Sequence, residues 1–338
     1  MTSIKDVATR AGVSVATVSR VLNEHPAVRE DTRSRVLSAV TDLGYRPNAV
    51  ARSLRTHQTR TLGLVISDVL NPFFTELARA VEDAARERGY SVIIGNADER
   101  PDLQDHHIRT LLDRRIDGLL VSPTHGGTAL TREAAQARTP MVFVDRWIDE
   151  AAFAHVPVVR TDGSAAVHAL VGHLRALGHR RIAIIGGPSE TTTGNERVDA
   201  FRDALAAHGL SLPARYVGQG DFQAESGRRA TARFLALEEP PEVIFATDNL
   251  MALGAMDELR SRGLRVPRDM ALAAFDDVPW FLHTDPPITA VAQPTEELGH
   301  RAVHALTGLI EGRGADSVTL TARLTARRSC GEDEGSPT

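Results

Sequence analysis

From Thr61 onward short apolar runs alternate with longer amphipathic stretches, and that alternation constrains the fold more than any other feature. LGLVIS has strand length and no charge. ELARAVEDAARERG follows with helical spacing of its apolar residues. Next come SVIIGNA as a strand, a helix around 103–115, the strand IDGLLVS, a helix near 129–138 and the strand MVFVD. The pattern restarts at Arg181 with RIAIIGG, VDAFRDALAAHG, RYVGQGD, a helix near 224–237, EVIFATD, MALGAMDELRSRG and MALAAFDD. One more helix is expected within 292–312 and a strand at about 317–322. Strands alternating with helices imply a parallel sheet covered on both faces. Two such units in succession imply two doubly wound lobes with a cleft between them.

The first 60 residues read differently. Ile4, Val7, Ala8 and Ala11 recur at helical spacing, Gly12 interrupts, and Ser14 suits the N-cap of a second helix. Val15, Val18, Val21 and Leu22 form the expected buried stripe of that helix. A third amphipathic segment runs from about Glu30 to Leu43, with Val36, Val40 and Leu43 on one face and Gly44 at its end. Two short helices around a Gly-containing turn, followed by a third, make an all-α helix-turn-helix head. Charge supports a polyanion partner. The chain's net charge is −5, but residues 1–60 hold 10 Lys+Arg against 5 Asp+Glu, so the remainder carries 29 against 39. A +5 head on a −10 body is the asymmetry expected of a nucleic-acid binder. Val15, Ala16 and Arg20 lie toward the outward N-terminal side of the second helix. There Arg20 can donate bidentately to a guanine edge and the small apolar residues can meet thymine methyls. Ser3, Thr17, Ser19 and Asn23 are candidate phosphate or sugar contacts.

IKDVATRAGVSVATVSRVLN, followed by TRSRVLSAVTDLGYRPNAVARSLRT, closely resembles the head of the lactose/galactose-repressor (LacI/GalR) family, almost position by position over residues 3–56. The resemblance implies that 48–56 form a hinge helix on the operator. Asn48 would be its N-cap, Ala51 the small residue that lets it approach the minor groove, and Leu54 the wedge into the central step. Nine residues are too few for a stable isolated helix in water. The body resembles the periplasmic sugar-binding fold, ribose-binding proteins in particular. The resemblance implies effector contacts at Asn71, Phe73 and Phe74 in NPFF, Asp145 and Arg146 in VDR, and Arg197 in NERVDAF. It adds Phe222 in GDF, Thr247 in FATD, Asp276 in AFDD and Gln293 in VAQP. All are expected at or after strand ends, where ligands sit in open α/β sheets. Thr247 stands where the ribose-binding pattern has asparagine, so the paired amide donor and acceptor is missing and ribose itself is in doubt. Phe73 and Phe74 also fit plain core, Asp145 and Arg146 also fit a structural pair, and Asp248 reads as a helix cap before LMALGA.

The resulting domain reading is a head over 1–47, a hinge and linker over 48–60, a core over 61–330 and a tail over 331–338. Within the core, lobe one covers about 61–160 and 292–322, and lobe two about 161–291 and 323–330. Crossing back of the late segments, so that three strands join the lobes, is implied by the resemblance. Enzyme signatures are weak: GxSxG, HExxH and the phosphate-binding loop are missing, and IIGGPSETTTG lacks GxGxxG spacing. No catalytic residue, cofactor or metal ligand is therefore assigned, and His106 and His107 read as solvated. The start MTSIKDVATRAGVS lacks the layout of a signal peptide, no apolar run approaches the ~20 residues that span a bilayer, and Cys330 is the one cysteine. A cytoplasmic protein with no membrane partner is expected. No leucine heptad follows the core, so a homodimer on a pseudo-palindromic operator is expected. The function implied is a sequence-specific regulator, a repressor of carbohydrate uptake or catabolism genes. A small sugar-like effector would control it allosterically. A sugar receptor without a DNA role and an α/β enzyme are the competing readings.

Overall fold

Ser3 starts the first helix because it and Asp6 cap each other. The Ser3 Oγ accepts from the Asp6 amide, and the Asp6 carboxylate accepts from the Ser3 amide at 2.8 Å. This helix, α1 (Ile4–Ala11), stops at Gly12, whose φ of 64° only glycine adopts without strain. Ser14 then accepts from the Thr17 amide at 3.1 Å and opens α2 (Val15–Leu22). With Glu30 and Asp31 in its first turn, α3 spans Glu30–Asp42. The three close over Val7, Ala8, Ala11, Val18, Val21, Val36 and Ala39. Val15 departs from the expected stripe. It is 40% exposed, because Val18 and Val21 suffice to meet α1 and α3 and the first turn of α2 projects past them.

The computed structural model describes residues 2–22, 25–45, 58–124 and 126–331. Asn23, Asn48, Ala51 and Leu54 lie outside them. The chain divides into two units, one through Thr59 and one from Arg60.

In the second unit the strands are β1 (Thr61–Ile66), β2 (Ser91–Asn96), β3 (Gly118–Val121), β4 (Met141–Val144) and β5 (Val158–Asp162), then β6 (Ile182–Gly186), β7 (Val217–Gln219), β8 (Val243–Ala246), β9 (Ala271–Phe275), β10 (Thr289–Ala292), β11 (Val318–Thr321) and β12 (Arg323–Thr325). The helices are α4 (Pro72–Glu87), α5 (Pro101–Asp113), α6 (Ala129–Gln136), α7 (Ser164–Ala176), α8 (Thr192–Ala207), α9 (Ala224–Leu235), α10 (Asn249–Ser261) and α11 (Thr295–Ile310). One sheet has the order β11-β5-β4-β3-β1-β2, and the other β12-β10-β9-β8-β6-β7. Apart from β11 and β12 the two orders are the same, and among the described residues only the β10–β12 pair is antiparallel. The chain passes between sheets after Asp162, after Ala292 and at Ala322, so three connections join the lobes.

Both faces of each sheet are buried, as a parallel sheet requires. In β1, Leu62, Leu64 and Ile66 face one cluster and Val65 the other. α4 buries Phe73, Phe74, Leu77 and Val81 against that first face, and α11 adds Leu298, Ala302, Val303 and Leu306. Burying each such side chain contributes about 1.5–3 kcal/mol. In lobe two α9 and α10 cross with their backbones close together. A Cβ on Gly254 would stand 1.7 Å from the Ala224 carbonyl oxygen, so that crossing requires glycine.

Some elements were not legible in the sequence. β5 reads VVRTD; its apolar half pairs with β4, and its polar half becomes a strand only through pairing with β11. The second repeat does restart at β6, which holds the place of β1, but the connecting helix ahead of it, α7, has no counterpart among the expected elements; it buries Val167, Leu170, Val171 and Leu174. β10 and β12 are four and three residues long, too short to show a period. α8 begins at Thr192, ahead of VDAFRDALAAHG, because Thr191 caps it by accepting from the Gly194 amide.

Candidate functional site

Because the lobes share a topology, their strand C-termini face the same cleft. The side chains expected there are brought together, and all but Gln293 are buried. Asp145 directly follows β4, Asp276 follows β9, and Phe222 lies three residues past β7. Their φ angles are 65°, 67° and 62°. Three non-glycine residues held in left-handed backbone, all at one cleft, are the kind of strain that accumulates at functional sites. Arg197 is the exception to the strand-end expectation, since it projects from the second turn of α8.

Arg197 sits at the centre. Its guanidinium stacks 3.8 Å from the Phe275 ring centroid and donates to the Thr247 carbonyl at 2.7 Å. It lies 4.0 Å from the Asp145 carboxylate of the opposite lobe and 3.9 Å from Asp276. Gln293 donates to Asp276 at 2.7 Å. The Thr247 hydroxyl donates to the Ile185 carbonyl at 3.0 Å, so its one proton is turned into lobe two. Asn71 caps α4 by accepting from the Phe73 amide at 3.0 Å. It also reaches across the cleft, donating to Asp248 at 2.9 Å and accepting from the Asn249 amide group at 2.7 Å. Phe73 and Phe74 pack edge to face in the lobe-one core with centroids 5.0 Å apart. Arg146 lies 5.6 Å from the Phe74 centroid and 4.6 Å from Phe222 of the other lobe.

Arg146 is committed to a partner that the sequence reading did not name. Glu99 takes it bidentately with both bonds at 2.8 Å, while Asp145 is 3.9 Å away. Burial opposes the charge of Arg146, and Glu99 more than restores it. Burial pushes the Asp145 carboxyl up to about 6, against the pull of Arg197 and Arg146. Burial, then repulsion from Asp276, pushes Asp248 up to about 7. The lobes are also tied by Gln223 to Asp68 at 3.2 Å, the Trp147 amide to the Thr192 hydroxyl at 3.3 Å, and Arg160 to Glu196 at 3.0 Å. On one side of Arg197 a cavity of about 20 Å³, room for about one water, is bordered by Thr161, Asp162, Thr193, Glu196 and Phe275. The strand-end rule could have found Asp68, two residues past β1, and Asn249, three past β8. Nothing in the sequence marks Glu99, whose role depends on Arg146 arriving from β4.

On the head, Val15, Ala16 and Arg20 form the exposed side of α2 and Thr17 is half-buried beside them. The Thr17 hydroxyl lies 2.9 Å from that of Ser14. Ser3 is exposed, but its hydroxyl donates to Asp6 at 2.8 Å, leaving it an acceptor. Ser19 is half-buried on the same helix.

Residues 3–48 match the family described as "Bacterial regulatory proteins, lacI family", and residues 171–330 match a periplasmic binding protein-like domain. The chain is 32% identical over 329 residues to the HTH-type transcriptional repressor CytR of Escherichia coli, spanning 97% of this chain and 96% of that protein. It is 37% identical over 333 residues to the HTH-type transcriptional repressor PurR of Erwinia tasmaniensis, with 97% of each covered. The chain belongs to the LacI family of bacterial regulatory proteins. Its structure superposes on the Lac repressor dimer bound to operator and the anti-inducer ONPF with a TM-score of 0.85, at 27% identity over 98% of this chain and 99% of that one. This LacI-family protein is a DNA-binding transcriptional regulator, not an enzyme. Among its described residues no helix is long and apolar enough to cross a membrane.

Proposed function

We propose that this regulator represses carbohydrate uptake or catabolism genes as a cytoplasmic homodimer on pseudo-palindromic operator DNA, and that a monosaccharide or related polyol held between its lobes controls it. The observation that carries the reading is Arg197 set between Asp145 and Asp276 from opposite lobes, on a chain whose head is a helix-turn-helix. A sugar hydroxyl left unpaired in a buried cleft costs about 1–3 kcal/mol, so a sugar site needs carboxylates, guanidinium and amides of this kind. Two solved relatives support the ligand class: the structure of a CelR–cellobiose complex, TM-score 0.72 at 31% identity over 97% of this chain and all of that one, and the Lac repressor complex above.

The lobes already meet across the cleft through Asn71–Asp248, Asp68–Gln223 and Trp147–Thr192, so a sugar enters when they separate. Binding therefore changes the balance of lobe arrangements, and through the hinge the spacing of the two heads. Operator and effector must then alter each other's affinity by the same factor. On DNA, Val15, Ala16 and Arg20 would read the major groove, with Thr17, Ser19 and Asn23 on the backbone. Asn48, Ala51 and Leu54 would serve the paired minor-groove hinges. A fragment from just upstream of its own gene is expected to bind tightly with a steep salt dependence. Arg20→Ala should weaken that binding far more than binding to scrambled DNA. Equal losses on both would refute the readout role. A thermal-shift screen of sugars and nucleosides without a sugar hit would refute the effector class.

A further inference from the structure

The cleft walls are unbalanced in charge. Asp68, Asp145, Asp248, Asp276 and Glu99 face it with two guanidiniums among them. Glu99 holds Arg146 in two 2.8 Å bonds, which leaves Arg197 against four aspartates. Arg197 lies beyond hydrogen-bond range of both Asp145 and Asp276, and its short bond goes to a backbone carbonyl.

A second observation is independent of charge. Asn71 cannot be turned over: its Oδ1 caps α4 by accepting from the Phe73 amide, and its Nδ2 points at the Asp248 carboxylate. The contact from Asn249 reaches the same Oδ1, so it must come from the Asn249 Nδ2, which donates at 2.7 Å. The Asn249 Oδ1 is thereby left without a partner, although the residue is fully buried. A buried acceptor with no donor is expensive, and native proteins rarely keep one without a use. The cleft does hold one unpaired donor, the Arg146 Nε 3.9 Å from Asp145, but the carboxylate oxygens and the orphaned amide oxygen that lack a donor outnumber it.

Resting on the assignment of this cleft as the effector site, we propose that it takes a ligand that is uncharged or carries a protonated amine, and rejects acidic and phosphorylated forms of the same ligand. Hydroxyl or ammonium donors of such a ligand satisfy Asp145, Asp276 and the Asn249 oxygen together. A carboxylate or phosphate in the same place meets carboxylates on most sides, with one uncommitted guanidinium to hold it. Burial raises the affinity of Asp145 and Asp248 for protons, which agrees with a site short of positive charge.

Two measurements on the full chain test this. The first uses calorimetric titration with hexose, pentose and nucleoside stems, each as the neutral, amino, carboxylate and phosphate form. Every stem that binds should bind in its neutral or amino form at least tenfold more tightly than in its acidic forms. An acidic form that binds as tightly overturns the proposal. The second needs no ligand. Asp145→Asn should raise the melting temperature of the effector-free chain, by about 2 °C or more. Asparagine also suits left-handed backbone, so Asp98→Asn, at an exposed position with φ 52°, gives the backbone share to subtract. A remaining change of zero or below means Arg197 already balances the site, and overturns the proposal. If no stem binds in any form, the sugar reading above fails, and the melting comparison alone decides the charge of the cleft.

Discussion

Replacing Arg146 by methionine isolates the strongest electrostatic commitment in the cleft. The Arg146 side chain is 5% exposed and that of Glu99 13%. Arg146→Met keeps an unbranched apolar stem near Phe74 and Phe222 but strands the Glu99 carboxylate. Removing one partner of a buried pair costs about 3–5 kcal/mol. Glu99→Leu should lose less, because Arg146 keeps Asp145 at 3.9 Å. Leucine has the same Cβ as glutamate, so the φ of 51° at position 99 adds no new strain. The double variant has neither charge to strand, and it should return to within about 1 kcal/mol of the parent or exceed it. Urea denaturation followed by tryptophan fluorescence reads this directly, since both tryptophans, Trp147 and Trp280, lie in the two-lobed body. A loss below about 1 kcal/mol for Arg146→Met, or a double variant that loses the sum of the two singles, would refute this commitment of Arg146 to Glu99.

The remaining predictions concern pH, packing and the head. Asp145 and Asp248 keep their protons to about 6 and about 7 when folded, and release them near 3.8 when unfolded. Between those values the native state binds more protons, so their contribution is full at about pH 4 and is lost as pH rises to about 7. Facing Arg197, Arg146, Asp276 and Gln293, Asp145→Asn should therefore gain on the parent in melting temperature over that interval, and a shrinking difference would contradict the assignment. Gly254→Ala should destabilise the body by about 1–3 kcal/mol despite alanine's better helix propensity, because its Cβ meets backbone at 1.7 Å. Urea midpoints equal to the parent's would deny that approach of α9 to α10. Val18→Ala removes two methyls from a fully buried position in the small head core and should cost about 2 kcal/mol. It should weaken specific and non-specific DNA binding alike, unlike Arg20→Ala, and a selective loss would assign Val18 to base readout.

Local chemistry made much of this protein readable in its sequence. Ser3, Gly12 and Ser14 place the turns of the head by capping and by left-handed backbone, which depend on neighbours a few residues away. The apolar runs of β1, β3, β4, β6, β8 and β9 are buried on both faces, so each announces itself without its partners. β5, β10 and β12 do not, because pairing rather than composition makes them strands. The residues that the family resemblance names come together in one cleft, and the resemblance leaves open what each of them does there.

That division has one physical cause. A cap, a turn or an apolar period is set within one or two turns of chain, and the sequence determines it alone. The meaning of a charge is set by what stands within about 4 Å of it, and in the cleft those neighbours arrive from distant segments. Arg146 reads from the sequence as a ligand contact or a partner of Asp145, and the fold adds Glu99 from 47 residues away as its hydrogen-bonded partner. Asp248 read as a cap, which it is, until Asn71 from the other lobe claimed its second oxygen. Asn249 drew no attention until the fixed orientation of Asn71 left its carbonyl oxygen alone. The sequence by itself determined a helix-turn-helix head and a two-lobed α/β body. Only the tertiary structure decided which of the body's cleft charges are already committed and which still lack a donor.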